Sequence, residues 1–177
     1  MSARASTPPL RAADSAIAGT GVFAQRAFES GERIRQLSGV LRTLEEVLQL
    51  VDADDVAGSD VLGIDDGVYL VLDELDRCFN HSCDPNAAVV GSPGRAELVA
   101  TRPVRSGDEI TFDYSTTMAD DEEAIVAAGR SLWRCPCSCA ADTCRGEIDQ
   151  FATLAGDVRR RILDAGRAPD FILRAFA

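Results

Sequence analysis

Two stretches decide how this chain is read: Arg77-Cys78-Phe79-Asn80-His81-Ser82-Cys83-Asp84-Pro85-Asn86 and, far downstream, Cys135-Pro136-Cys137-Ser138-Cys139-x4-Cys144-Arg145-Gly146. Thiolates at C-x-C-x4-C spacing suit tetrahedral zinc. The run most naturally supplies three ligands and leaves one position for a distant residue. If Cys83 fills that position, the metal ties the C-terminal third of the chain to Asn80 and to the only histidine, His81. Disulfides, redox chemistry and plain buried thiols compete with this reading. In a reducing compartment, cysteines clustered this way point to zinc rather than disulfides.

At 177 residues and 46 % apolar content, the chain predicts one domain with a real core. No apolar run approaches the ~18 residues needed to span a bilayer. The N-terminus shows no basic region followed by an apolar stretch, so the expectation is an intracellular, cytoplasmic protein without a membrane partner. The net charge is −11, and all 18 cationic residues are arginine. Codon usage in a GC-rich genome explains the missing lysine more simply than avoidance of self-modification. The acidic balance disfavours direct nucleic-acid binding, which needs a basic patch. Arg159-Arg160-Arg161 reads as the solvated face of a helix.

Residues 1–13 are rich in Ala, Ser and Pro and read as a flexible N-terminus. Short β-like runs follow at Ser15–Ala18, Val22–Gln25 and Glu32–Leu37. Thr43-Leu44-Glu45-Glu46 is a capping-box pattern, and Leu44, Val47, Leu48 and Val51 then recur at helical spacing. Val68–Leu72, Ala87–Val90, Glu97–Thr101 and Glu109–Phe112 read as further strands. A helix is expected within Asp120–Trp133, and two short ones over Asp157–Ala165 and Asp170–Phe176. Many short strands with few helices define a mostly β fold.

Two more segments carry chemistry: Gly19-Thr20-Gly21-Val22-Phe23-Ala24 and Gly107-Asp108-Glu109-Ile110-Thr111-Phe112-Asp113-Tyr114. The first also fits a dinucleotide-binding fingerprint, but that motif needs a long helix opening at the glycines. Gln25-Arg26-Ala27-Phe28-Glu29-Ser30-Gly31 is too short and interrupted to form one. A simple hairpin glycine is the plainer alternative for an isolated G-x-G.

Taken in order with the two opening stretches, these segments resemble the SET-domain family of protein lysine methyltransferases. The match covers roughly residues 15 to 148, in a compact bacterial-type form. The resemblance implies small curved β-sheets with short helices, a SET domain over 14–117, and a helix plus post-SET zinc segment over 118–148. Short C-terminal helices would fill 149–177. It further implies S-adenosylmethionine as cosubstrate, held by Thr20, Gly21, Arg77, Asn80 and His81. Cys78 stands where the family usually has Phe, a tolerable change because a thiol packs as a small hydrophobe. Alignment on Trp133 and on Cys144-Arg145-Gly146 implies one structural zinc on Cys83, Cys137, Cys139 and Cys144. Cys135 is then a spare thiol, or exchanges roles with Cys137. Tyr114 is the implied catalytic residue, orienting or deprotonating the lysine of a protein substrate. Phe112 matches a substrate-channel position, where Phe rather than Tyr leaves room for more than one methyl group.

Methyl transfer to an amine requires a neutral lysine, whose free pKa is about 10.4. A dry channel beside a sulfonium disfavours the ammonium by desolvation and like-charge repulsion. A tyrosine hydroxyl can orient the amine without adding charge. Rival classes are a catalytically idle zinc module that binds peptide or cofactor, and a redox or metal sensor using Cys135 and its neighbours. Nine acids and no base occupy Asp52 to Asp76. The family places a variable insert there, forming one wall of its peptide groove. A second acidic run, Asp120-Asp121-Glu122-Glu123, follows Tyr114. The expected partner is therefore a basic, Lys/Arg-rich segment of another protein, against the plainer reading of solvated acidic loops.

Overall fold

The computed structural model of the chain describes residues 8–91, 94–120 and 122–177. Strand β1 (Leu10–Asp14) pairs antiparallel with β2 (Thr20–Ala24), Leu10 facing Ala24 and Asp14 facing Thr20. Ser15–Ala18, read above as a strand, is instead part of the turn joining them. The Ser15 N–H donates to the Gly19 carbonyl (2.9 Å), and its hydroxyl accepts the Ile17 N–H (2.9 Å). A serine hydroxyl that satisfies a nearby backbone donor favours a turn over a ladder. The strand therefore lies just before it, within the segment expected to be flexible. The rest of that expectation, residues 1–7, falls outside the described residues.

Next come β3 (Arg33–Gln36), β4 (Gly39–Thr43), helix α1 (Leu44–Asp52), β5 (Val61–Asp65), β6 (Val68–Leu72), β7 (Ala87–Val90) and β8 (Glu97–Ala100). They form two antiparallel three-stranded sheets, ordered β4-β6-β5 and β3-β8-β7. The main core lies between these small sheets, with Val22, Phe28, Phe79, Val89, Leu98, Ile110 and Phe112 all buried. β4 and β5 have no counterpart in the sequence reading. β4 leaves Val40 and Leu41 half exposed, and β5 carries Gly63 in its middle, which reads as a breaker. Gly63 is there for close approach: a Cβ at this position would meet the Thr117 carbonyl oxygen at 2.6 Å.

The capping box forms at α1. Glu46 N–H donates to the Thr43 hydroxyl, and Thr43 N–H donates to the Glu46 carboxylate. The helix expected over Asp120–Trp133 is shorter, α2 (Glu122–Ala127). It is stopped by Gly129 at φ +74°, with the Arg130 N–H returning to the Ile125 carbonyl (3.0 Å). The two-residue strands β9 (Cys135–Pro136) and β10 (Glu147–Ile148) frame the cysteine run. Helices α3 (Gly156–Asp164) and α4 (Asp170–Phe176) match the expected pair. They enclose a second small core of Phe151, Leu154, Ala168, Phe171 and Ile172. Among the described residues, no helix is long and apolar enough to cross a membrane.

A buried carboxylate anchors the turn that leads into Asn80-His81. Asp76 is only 1 % exposed and accepts from Arg35 Nε, from the Ser38 N–H (2.8 Å) and from the Ser38 hydroxyl (3.0 Å). Asp76→Ala leaves a partly buried backbone donor and a half-buried guanidinium without their acceptor. Chemical denaturation should show a loss of about 3 kcal/mol, and a loss below about 1 kcal/mol would show that water replaces the carboxylate freely.

Candidate active site

The segment 108–113 is the spine of the site. On one side the Ile110 N–H bonds to the Val22 carbonyl (2.8 Å) and the Ala24 N–H to the Asp108 carbonyl (3.0 Å). On the other, the Phe112 N–H reaches the Asn80 carbonyl (3.3 Å) and the Ser82 N–H reaches the Phe112 carbonyl (3.1 Å). Expected as an ordinary strand, Glu109–Phe112 forms isolated bridges to Phe23 and His81. The glycine-bearing strand β2, the Asn80-His81 segment and Tyr114 are brought together in this way.

Asn80 is buried and its amide nitrogen is engaged. Nδ2 donates to the carbonyls of Ala18 (3.1 Å) and Thr20 (3.4 Å) and to Glu109 Oε1 (2.8 Å). Ser15 also donates to the Glu109 carboxylate (2.8 Å). That carboxylate lies against Gly21, where a Cβ would stand 2.2 Å from Oε1, so a side chain at this position would displace Glu109 from its bonds to Asn80 and Ser15. Thr20, Gly21 and Asn80 are thus one unit, and Glu109, to which the sequence reading assigned no role, is its hub. Arg77 lies on the 3-10 turn before Asn80, exposed and without a side-chain partner among the described residues.

Tyr114 opens a 3-10 turn capped by the Asp113 side chain. Its hydroxyl donates to the Phe79 carbonyl (2.6 Å), which leaves the oxygen's lone pairs for another donor. Burial holds the phenol well above its ordinary pKa, and Asp60, Cys135, Cys78 and Glu109 push the same way. Tyr114 is neutral at physiological pH, an orienting group rather than a ready base. Phe112 is buried and packs its ring on Tyr114 (centroids 4.8 Å apart), but it does not line the cavity beside that residue.

That cavity measures about 320 Å³. Its walls include Leu44, Val47, Leu48 and Val51 of α1 together with Met118, Ile125, Trp133 and Tyr114. Tyr69 donates to Asp120 (2.8 Å) at its edge. An ion pair joins Arg130 of this lining to Asp52 of α1.

His81 connects this region to the cysteines. Nδ1 accepts the Tyr114 N–H (3.1 Å), and Nε2 lies 3.3 Å from Cys83 Sγ. Burial brings His81 down to about 4; Asp113 opposes the shift and Arg145 adds to it, so the ring is neutral at pH 7. With Nδ1 accepting, the proton is on Nε2 and points at the sulfur. Ligand atoms of His81, Cys83, Cys137 and Cys139 all lie within 4.8 Å of one another. Cys144, expected as the fourth ligand, sits at the edge of that group, its Sγ 4.0 Å from the Cys137 carbonyl. Arg145 clamps Asp113 through two bonds (2.7 and 2.9 Å), while its own N–H reaches Cys83 Sγ (3.4 Å). That pair also went unassigned in sequence; the Cys-Arg-Gly context of Arg145 was its only signal.

The donors suit a metal. Cys83 and Cys137 Sγ are 3.8 Å apart, and two thiolates on one tetrahedral zinc at ~2.3 Å stand about 3.8 Å apart. Burial pushes Cys83 up to about 11 and raises Cys137 further, costs that a bound cation reverses. Burial also raises Cys139, but N–H donors from Cys83 and Ala141, with the Cys137 and Cys144 thiols, outweigh it and bring it down to about 6. Cys135 stands outside the group and pairs by backbone with Ile148.

Small antiparallel sheets meeting at a glycine-bearing strand, an Asn-His segment and a buried tyrosine define a protein of the SET-domain class. A family model described as "SET domain" matches residues 19–115, and the chain belongs to that family. It is 34 % identical over 79 % of its length to a histone-lysine N-methyltransferase, H3 lysine-4 specific, from Cryptococcus neoformans. It is 30 % identical over 72 % of its length to the Drosophila melanogaster histone-lysine N-methyltransferase Su(var)3-9. The chain spans only 10 % and 22 % of those two proteins. Among solved structures, a humanized mutant of the Chaetomium thermophilum Polycomb Repressive Complex 2 bound to the inhibitor GSK126 aligns with TM-score 0.53 and 20 % identity. The alignment covers 63 % of this chain and 15 % of that one, a likeness of fold.

Proposed function

We propose that this protein transfers methyl groups from S-adenosylmethionine to lysine side chains of another protein. The observation that carries the reading is Tyr114. Its hydroxyl is kept neutral by burial, its proton is engaged by the Phe79 carbonyl, and it borders an apolar cavity open to an incoming side chain. The named relatives, all described as histone-lysine methyltransferases, support it. Bound S-adenosylmethionine supplies an electrophilic methyl group. Thr20, Gly21, Asn80, His81 and exposed Arg77 are the residues that would hold it. The Tyr114 oxygen accepts a hydrogen bond from the amine and directs its lone pair, an orientation effect worth several kcal/mol. The apolar walls favour the neutral amine by excluding water. Incubation with labelled S-adenosylmethionine and a cell lysate tests the reading: label on lysines supports it, and label absent despite measured cofactor binding refutes it.

One structural zinc on Cys83, Cys137, Cys139 and Cys144 completes the proposal. His81 lies within reach as the rival fourth ligand; because its Nδ1 accepts the Tyr114 N–H, the proposal keeps Cys144 in that place. A zinc closed by four thiolates pins the C-terminal segment and has no open position for chemistry.

The reading extends to a basic segment as substrate, in an intracellular, compact bacterial-type enzyme that makes no direct nucleic-acid contact. Three of the nine acids between Asp52 and Asp76 are neutralised internally: Asp52 by Arg130, Asp65 by Arg174 and Asp76 by Arg35. Asp54, Asp55 and Asp66 are exposed and without an ion pair among the described residues. With a basic peptide, kcat/KM should fall about tenfold between low and physiological salt as screening shortens to about 8 Å. Joint neutralisation of Asp54, Asp55 and Asp66 should raise KM more than it changes kcat. A rate indifferent to salt removes the steering idea.

A further inference from the structure

We propose that the cavity beside Tyr114 takes two side chains of the substrate: the aliphatic stem of the target lysine and a bulky apolar residue close to it in the chain. The inference rests on the lysine-methylating reading and adds a sequence preference to it.

Volume is the first argument. A dry apolar cavity of about 150 Å³ accommodates a benzene-sized group, and this one measures about 320 Å³. The four-carbon stem of lysine takes roughly one such share, so a second group of similar size remains to be filled.

The lining is the second argument. Leu44, Val47, Leu48 and Val51 form the apolar stripe of α1, the face that a helix normally buries against its own core. Here only Val47 is fully buried, and Val51 remains 37 % exposed. The stripe lines the same cavity as Met118, Ile125 and Trp133. Of the polar side chains in the lining, Tyr69 and Asp120 bond to each other. Mainly apolar walls select an aliphatic or aromatic side chain over a charged one.

Charge names the kind of segment that brings it. Asp60 and Asp120 line or border this space, and exposed Asp54 and Asp55 follow directly from α1. The occupant is therefore an apolar anchor in a cationic segment, not an acidic or purely apolar one. The Arg130–Asp52 pair beside the cavity is exposed on both sides, and such a pair is weak enough to part as the segment enters.

The test uses the full-length, zinc-loaded wild-type protein and a lysine-centred peptide library with arginine-rich flanks. Each position near the lysine is set in turn to Leu, Phe, Ala or Ser, and methylation is followed by mass spectrometry. At one position Leu or Phe should exceed Ala in kcat/KM by at least tenfold, the scale of burying one large apolar side chain. Val51→Trp, which fills the rim of the cavity, should bring the Leu-to-Ala ratio at that position towards one. A flat profile with lysines still methylated overturns this inference and leaves the methyltransferase reading intact. A preference that survives in folded Val51→Trp overturns the assignment to this cavity. A library and lysate both left unmethylated, despite cofactor binding, overturn the parent reading and this inference with it.

Discussion

Tyr114→Phe is expected to lower kcat on the order of a hundredfold or more while leaving S-adenosylmethionine affinity nearly unchanged. The two effects separate because the hydroxyl lies at the cavity, whereas the residues proposed to hold the cofactor lie on β2 and the Asn80-His81 segment. Steady-state kinetics measures the first quantity and calorimetry the second. The neutral phenol adds a pH signature. Its pKa is raised, so it stays protonated from acid through neutral pH and contributes no ionisation there. The rate should climb with pH as the substrate amine loses its proton, up to the lysine's own range near 10.4. A tyrosine acting as base would instead add its own titration to the profile. An unchanged kcat in the mutant removes Tyr114 from the mechanism.

Cys144→Ser should abolish tight zinc binding and most turnover, with much of the β core still folded. One zinc per chain in the wild type, measured by elemental analysis, is the companion expectation, and Cys135→Ser should retain both metal and activity. Metal binding and local folding are one equilibrium in such sites, so chelation should also loosen the segment after β9. Nitrogen NMR of His81 decides between the candidate fourth ligands: a protonated Nε2 in the zinc-loaded protein keeps Cys144, and a metallated Nε2 replaces it. A fully active protein without metal would sink the zinc site.

What could be read in advance followed from local chemistry. The α1 capping box, the α3–α4 pair and β6 through β8 each rest on near-neighbour patterns, and each formed. The misreadings came where distant contacts override local pattern. β5 went unread, and the reason for its Gly63, the Thr117 carbonyl, is far away in sequence. Glu109–Phe112 had strand composition, yet its partners on the two sides are β2 and the Asn80–Ser82 segment, so bridges form instead of a ladder. For the site, cysteine spacing pointed to the cluster, and Asn80, Gly21 and Tyr114 do converge. The Glu109 hub and the Asp113–Arg145 clamp stayed hidden because a polar contact between distant parts of the chain leaves no periodic trace.

The contact between Gly58 and Trp133 has a practical consequence. Trp133 is the only tryptophan, and a Cβ at position 58 would lie 2.3 Å from its indole, so the ring rests on bare backbone. It thereby touches the acidic insert, borders the cavity and precedes the cysteine segment by two positions. The protein thus carries its own single-site optical reporter. Emission colour and quenching of this one indole should register metal withdrawal and peptide entry as separate signals, without any added dye.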